Sequence, residues 1–416
     1  MTSTASPSTT GIRAAAQRRT LTVLVVSQIL SGAGLAAGIT VGALLAQDML
    51  GATGLAGLPS ALFTAGSAVA AITVGRVSQT HGRRPGLAAG YATGALGSAG
   101  VITAAVLDSP ALLFAALFVY GAGSATNLQA RYAGADLAPP THRARAISTV
   151  LVATTLGGVV GPNLAAPTGD LAATLGIPRL AGPFLLSGAA YACGALVLAL
   201  WLRPDPLRLA RTLDTAQPAA ATGAVQEAAA PQGLRGGAVL GALVMVVSQL
   251  VMVAIMTMTP VHMHDHGHGT AASGLVIAIH VGSMYLPSPL TGRLVDAYGR
   301  PAVAVASGLT LLVAGVVAAT APADSVALLA LALALLGLGW NLGLVSGTAI
   351  ITDTVSLANR ARTQGTVDVA IAVAGATGGL ASGVVVDLAG YPVLALTGGV
   401  LALAVLPAVA VTAHGR

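Results

Sequence analysis

The sequence predicts an all-α membrane protein with twelve transmembrane helices in two pseudo-symmetric six-helix halves. Three observations carry this: a shortage of charge, recurrent uncharged runs, and a skeleton of residues written twice. Of 416 residues, 55% are hydrophobic and only 8% are charged, with a mean hydropathy of +0.85. A soluble domain carries about 25% charged residues, so this chain lacks the polar surface that water requires. Runs of 18 or more nearly uncharged residues recur, each long enough for roughly 30 Å of hydrocarbon. They are predicted to be helices, because an open strand edge cannot satisfy its backbone in lipid.

The duplication is read at a spacing of 217 positions. Asp136, Arg143, Arg145, Gly158 and Gly161 return as Asp353, Arg360, Arg362, Gly375 and Gly378. At the same spacing, Gly75, Gly82 and Arg83 return as Gly292, Gly299 and Arg300. The first span of each half also matches, VVSQIL at 25–30 against VVSQLV at 246–251. Two equivalent six-helix halves point to a transporter that rocks around a site near the bilayer midplane.

Taken in order, residues 1–19 form a Ser/Thr-rich and then basic cytosolic tail, and 20–202 form the first half. The first span, 21–45, is too long for a signal peptide. Further spans are placed near 55–78, 86–106, 110–133, 145–168 and 180–202. Residues 203–235, rich in Pro, Ala and Gln, are expected to be a mostly flexible cytosolic linker. The second half, 236–416, holds spans near 237–260, 271–293, 302–321, 324–350, 363–386 and 391–412. With both termini in the cytoplasm, the inner loops collect every arginine except Arg179. The outer loops hold Asp48, Asp108, Asp170, Asp265, Asp324 and Asp387. That asymmetry follows the positive-inside rule, and adding or removing a span would scramble it. The location is therefore the plasma membrane. The net charge of +6 reflects topology, so nucleic acid is excluded as a partner. Cys193 is the single cysteine, so no intramolecular disulfide forms. No G-x-x-x-x-G-K-[ST] stretch is present, which excludes direct drive by ATP. No cofactor is expected, and the chain is read as a monomer in the lipid bilayer that binds a small molecule and protons.

Ionisable residues inside spans are costly and mark function. Asp368 lies six residues past Arg362, about 9 Å into its helix at 1.5 Å per residue, where burial would raise its pKa and let it carry a proton. His280, in mid-span, could titrate, and Arg131 at an inner helix end could pair with Asp136, with phosphate head groups or with substrate. Gln28, Asn127, Gln249, Tyr285, Trp340 and Asn341 suit a central cavity better than lipid. His262, His264, Asp265, His266 and His268 alternate at the outer end of the seventh span. On an extended segment the histidines would point the same way, as metal ligands could. A closed zinc site has different spacing, and a solvated, pH-sensitive loop is the preferred reading, with no metal assigned.

The loop GRVSQTHGRRP and its copy GRLVDAYGRP resemble the signature G-x-L-a-D-R-x-G-R-R of the major facilitator superfamily. Gly157, Gly161 and Pro162 resemble the G-x-x-x-G-P core of that superfamily's drug and metabolite antiporters. The segments NLQARYAGADLAPP, GWN at 339–341 and TPVHMHDHGHG look like an actinobacterial efflux subgroup. Two positions depart from the family pattern: Gln79 replaces the first loop's acid, and Leu117 stands where an arginine is expected. The resemblance implies a transporter, not an enzyme, exporting a small amphipathic drug or metabolite in exchange for protons. Alternatives are proton-coupled uptake of a sugar or organic acid, metal export through the outer histidines, or a membrane sensor. Gly75, Gly82, Arg83, Gly292, Asp296, Gly299 and Arg300 would form gating loops, with the glycines permitting tight reversals. Asp296 could lock one state by facing a helix N-terminus, and Gln79, lacking that charge, is expected to matter less.

Overall fold

The computed structural model describes residues 9–50, 58–215 and 232–414, and every regular element among them is helical. In chain order the α-helices are α1 (Thr9–Leu50), α2 (Leu58–His81), α3 (Arg83–Val106), α4 (Pro110–Ala135), α5 (Arg143–Asn163), α6 (Ala165–Thr174), α7 (Gly182–Trp201) and α8 (Pro206–Thr215). There follow α9 (Gln232–Asp265), α10 (Thr270–Tyr285), α11 (Ser288–Tyr298), α12 (Arg300–Thr320), α13 (Val326–Thr354), α14 (Arg360–Ala389), α15 (Tyr391–Ala402) and α16 (Val405–His414). Ten helical segments among the described residues are long and apolar enough to cross a membrane. α1 and α5 cover the positions of the other two spans expected from the sequence.

The helix ends follow from local chemistry. Ser109 and Ser325 cap α4 and α13, their hydroxyls accepting from Leu112 N and Leu328 N, and Pro110 sits in the first turn of α4, where no N–H is missed. Gly82 and Gly299, at φ 96° and 92°, reverse the chain between α2 and α3 and between α11 and α12. A side chain there would be strained. Gly75 and Gly292 lie inside α2 and α11, so only the second glycine of each loop makes the expected reversal.

Several expected boundaries move. The span at 271–293 is broken at Leu286–Pro287 into α10 and α11, because proline removes a backbone donor and clashes with the preceding turn. The last span divides into α15 and α16, and the fifth span stops at Asn163 before the separate α6. α1 begins at Thr9, so the part of the tail that is described is helical; residues 1–8 lie outside the described residues. The expected flexible linker contains α8, an amphipathic helix whose Leu207 and Ala210 are buried; its residues 216–231 lie outside the described residues.

The chain forms two compact units, Met1–Ala230 with Ser356–Gly365, and Pro231–Val355 with Thr366–Arg416. In the first unit, a buried aromatic group of Tyr91, Tyr120, Phe184 and Tyr191 joins α3, α4 and α7, with ring centroids 5.4–5.7 Å apart. α1 and α5 approach so closely that a Cβ on Gly32 would stand 2.5 Å from the Thr154 carbonyl oxygen. In the second unit, α12 and α15 meet with Gly315 and Gly399 back to back. Small residues serve these crossings because close backbone packing holds helices together where lipid removes the hydrophobic drive.

Candidate functional site

Both copies of the repeated loop end in an arginine–aspartate pair, in very different surroundings. In the first unit, Arg83 starts α3 and Asp136 follows α4. The Arg83 Nε donates to Asp136 Oδ2 at 2.8 Å and its Nη2 to Oδ1 at 3.4 Å, with both side chains fully buried. Arg83 Nη2 also donates to Gln364 Oε1 at 2.5 Å, and Arg360 Nη1 stands 3.9 Å from Asp136 Oδ1. One carboxylate thus faces two guanidinium groups, and a buried charge is tolerated only with such partners.

Beside this pair, the Gln79 amide holds the beginning of α14. Its Oε1 accepts from Ala361 N at 2.8 Å and Arg362 N at 3.3 Å. Its Nε2 donates to the carbonyls of Leu357 at 3.2 Å and Ala358 at 2.5 Å. The first two are orphan donors of a helix N-terminus. An amide meets two N–H groups and two carbonyls at once, whereas a carboxylate could serve only the N–H groups. Gln79 is expected to matter less than Asp296 because it lacks charge, and its four hydrogen bonds to this helix terminus are contacts that charge does not count. Below it, Gly75 and Gly365 let α2 and α14 cross, and a Cβ on Gly365 would stand 2.6 Å from the Ala71 carbonyl oxygen.

In the second unit, Arg300 Nε donates to Asp353 Oδ2 at 2.9 Å, but these side chains are 18% and 28% exposed. Asp296 is 1% exposed and lies 3.8 Å from Arg300 Nη2, one turn away.

The cavity candidates divide by how their polar groups are used. Gln28 is fully buried: it accepts from Tyr91 Oη at 2.6 Å and donates to Asn127 O at 3.1 Å and Thr154 Oγ1 at 3.0 Å. Asn127 Nδ2 donates to Ser31 Oγ at 2.9 Å. Asn341, also fully buried, donates to Met284 O and Ser288 Oγ, each at 2.7 Å, and accepts from Thr291 Oγ1 at 2.6 Å. It ties α13 to both pieces of the broken span. By contrast, Trp340 Nε1 donates to Gln249 Oε1 at 2.7 Å, and Tyr285 stands edge-on to Trp340 at 5.7 Å. Gly375 leaves room here, since its Cβ would lie 3.1 Å from Gln249 Nε2.

A family model described as Major Facilitator Superfamily matches residues 24–286 and 241–414. YdeG of Bacillus subtilis (strain 168), an uncharacterised MFS-type transporter, is 56% identical over 96% of this chain and 93% of its own length. The chain belongs to the Major Facilitator Superfamily. It is a secondary transporter and not an enzyme. The riboflavin transporter RfnT of Brucella anthropi is 31% identical over 85% of this chain and 86% of its own. Among solved structures, the human organic anion transporter MFSD10 shares the fold at a TM-score of 0.73 and 18% identity, covering 94% of this chain and 99% of that one. The proton:xylose symporter XylE does so at 0.71 and 15%, covering 94% and 95%.

In this transporter Asp368, 3% exposed, lies two turns into α14, where the sequence places it. His280 is fully buried on α10; its Nδ1 donates to the Leu333 carbonyl at 2.8 Å, which leaves Nε2, buried and without a hydrogen-bond partner, as the free ring nitrogen. Arg131 is fully buried, its guanidinium 4.1 Å from the Tyr132 ring centre and its Nη2 donating to Tyr132 Oη at 2.8 Å. The ion pairs of Asp136 run to Arg83 and Arg360. A Cβ on Gly157 would collide with the Ile29 carbonyl of α1, while one on Gly158 would meet nothing. Gly161 is buried in the same helix, and the side chain of Pro162 lies outside the described residues.

The outer histidines correct one expectation. His262, His264 and Asp265 belong to α9, so alternate residues there diverge instead of pointing together. His262 stacks on Tyr391 at 4.4 Å, His266 Nδ1 donates to the His262 carbonyl, and His268 Nε2 donates to Ala323 O. Among the described residues, no three His, Cys, Asp or Glu side chains gather as a metal site.

Nothing local in the sequence points to Gln364, Asp205 or Arg211, whose partners lie far along the chain. For Gln79 a signal existed, since it stands at the repeat position of Asp296.

Proposed function

We propose that this transporter exports a small amphipathic organic molecule in exchange for protons, by alternating access across the plasma membrane with both termini cytoplasmic. The observation that carries the reading is Asp368, a buried carboxyl in a span with few other ionisable groups. Such residues in transporters mark ion pathways and proton relays. His280 is the second candidate carrier, with one ring nitrogen already committed to a carbonyl. The glycine signature of α5 supports the antiport direction by resemblance.

The test uses the full chain in proteoliposomes with an imposed proton gradient and a panel of amphipathic compounds. Asp368→Asn abolishes gradient-driven movement while substrate still binds, and it flattens the pH dependence of affinity. Unchanged transport and pH dependence in that variant would move the carrier elsewhere, with His280→Gln the next variant to measure.

A second reading concerns the substrate. Similarity to a riboflavin transporter, together with Trp340, Tyr285 and Gln249, supports a planar ring that stacks on an indole and hydrogen-bonds at its edge. Stacking is worth about 0.5–1.5 kcal/mol beyond burial. Trp340→Leu would then weaken riboflavin binding, measured by flavin fluorescence, more than binding of an aliphatic cation.

A further inference from the structure

The first span of each half carries a glutamine in the same short stretch, Gln28 in VVSQIL and Gln249 in VVSQLV. Within the first unit, Gln28 uses its whole amide. Its Oε1 accepts from Tyr91 Oη at 2.6 Å, and its Nε2 donates to Asn127 O at 3.1 Å and to Thr154 Oγ1 of α5 at 3.0 Å. The side chain is fully buried, and its role is to tie helices together.

Within the second unit, Gln249 is held by one end only. It lies about 20 Å along the apolar stretch Gly236–Asp265 at 1.5 Å per residue, near the middle of that span. Trp340 Nε1 of α13 donates to Gln249 Oε1 at 2.7 Å. An indole N–H donates and never accepts, so the atom facing it is the amide oxygen, and the amide has one possible orientation. Nε2, with its two N–H donors, therefore faces away from the indole nitrogen. Among the described residues it has no hydrogen-bond partner, and it is not sealed inside the protein. The repeat makes α14 the counterpart of α5, but beside Gln249 it offers a glycine instead of a hydroxyl. A Cβ on Gly375 would stand 3.1 Å from Nε2.

A donor pair without an acceptor is costly at mid-span, where hydrocarbon cannot replace water. The first copy shows how this fold satisfies such an amide when the amide is structural. The second copy leaves the donors free beside an indole and the Tyr285 ring.

We infer that Gln249 selects substrate by its edge: the amide N–H groups donate to a ring carbonyl of a planar molecule lying against Trp340. Trp340 is also the positioning residue, since its N–H fixes which end of the amide the substrate meets. This rests on the reading of a planar ring stacked on the indole. The same geometry selects against a ring N–H or an ammonium group at that edge, because donor would face donor.

The experiment compares two probes of one shape and charge, anthraquinone-2-sulfonate and anthracene-2-sulfonate, by calorimetric titration of the purified full chain in detergent. Both have three fused rings and a sulfonate, and only the first has ring carbonyls. The carbonyl probe binds about 10-fold more tightly, the fold-change for about 1.4 kcal/mol, within the range of one net hydrogen bond. Gln249→Met removes both donors at similar side-chain length and equalises the two affinities, while anthracene-2-sulfonate binds as before. Trp340→Phe keeps a ring for stacking but frees the amide, and the preference falls there too. Equal affinities in the unsubstituted protein, or a preference that survives Gln249→Met, overturns the donor assignment and leaves the stacked ring standing. Equal weakening of both probes by Gln249→Met means that the side chain only packs, and it overturns the assignment as well. A preference unchanged in Trp340→Phe overturns the positioning role of Trp340. Failure of the stacked-ring reading shows separately, as binding of neither probe, and takes the inference with it.

Discussion

The two copies of the repeated loop carry the same arginine and the same aspartate at the same spacing, yet they form different devices. Arg83–Asp136 is fully enclosed, with Arg360 and Gln364 added from the beginning of α14. Arg300–Asp353 keeps nearly the same N···O distance but is partly open to its surroundings. Distance alone therefore says little about energy. A buried pair that loses one partner leaves an uncompensated charge, at a cost of about 3–5 kcal/mol. An exposed pair contributes about 0–1 kcal/mol, because solvent screens it and side-chain entropy opposes it. A second difference lies beside the pairs: an amide at 79 where the copy has an acid at 296.

The largest effect is expected at the enclosed pair. Asp136→Asn or Arg83→Leu should destabilise the protein by about 3–5 kcal/mol, read as a lowered unfolding midpoint in detergent. The equivalent Asp353→Asn should cost under about 1 kcal/mol. Similar losses at both sites would break the comparison.

Next comes the amide. Gln79→Ala leaves two helix N–H groups and two carbonyls without their present partner. It should cost about 0.5–2 kcal/mol, the range for a lost helix cap, since Gln79 is only partly buried and water can reach some of the freed groups. Gln79→Glu sharpens the point, since it keeps the acceptor for Ala361 N and Arg362 N but turns the other oxygen toward the carbonyls of Leu357 and Ala358. Stability no better in Gln79→Glu than in Gln79→Ala is the expected result. A clear rescue by glutamate would mean that the helix dipole outweighs the carbonyls and that the two copies work alike.

The glycine stripes allow a finer contrast. Gly157→Ala drives a methyl into the Ile29 carbonyl and should cost about 1–3 kcal/mol, in the range of overpacking, whereas Gly158→Ala enters open space and should be near neutral. The smallest effect is expected at Arg300→Gln, under about 1 kcal/mol. A loss there as large as at Arg83 would show the second pair to be buried in another state of the transport cycle.

By itself the sequence determined much of the protein. Charge depletion dictates helices in lipid, the 217-residue spacing dictates two halves, and the loop and glycine signatures point to the family, because each depends only on composition or on residues close in the chain. It also placed Asp368 in a span and marked Gln79 as a departure from the pattern. Tertiary structure decided what those residues meet. Asp136 and Gln364 are 228 positions apart, and both lie on Arg83. Gln79 faces a helix terminus some 280 positions away, and α8, built from an apparently featureless linker, finds its apolar partners at Ala16 and Leu137. No local period encodes such pairings, since burial, and with it the strength of a charge or an amide, is a property of neighbours brought from far along the chain.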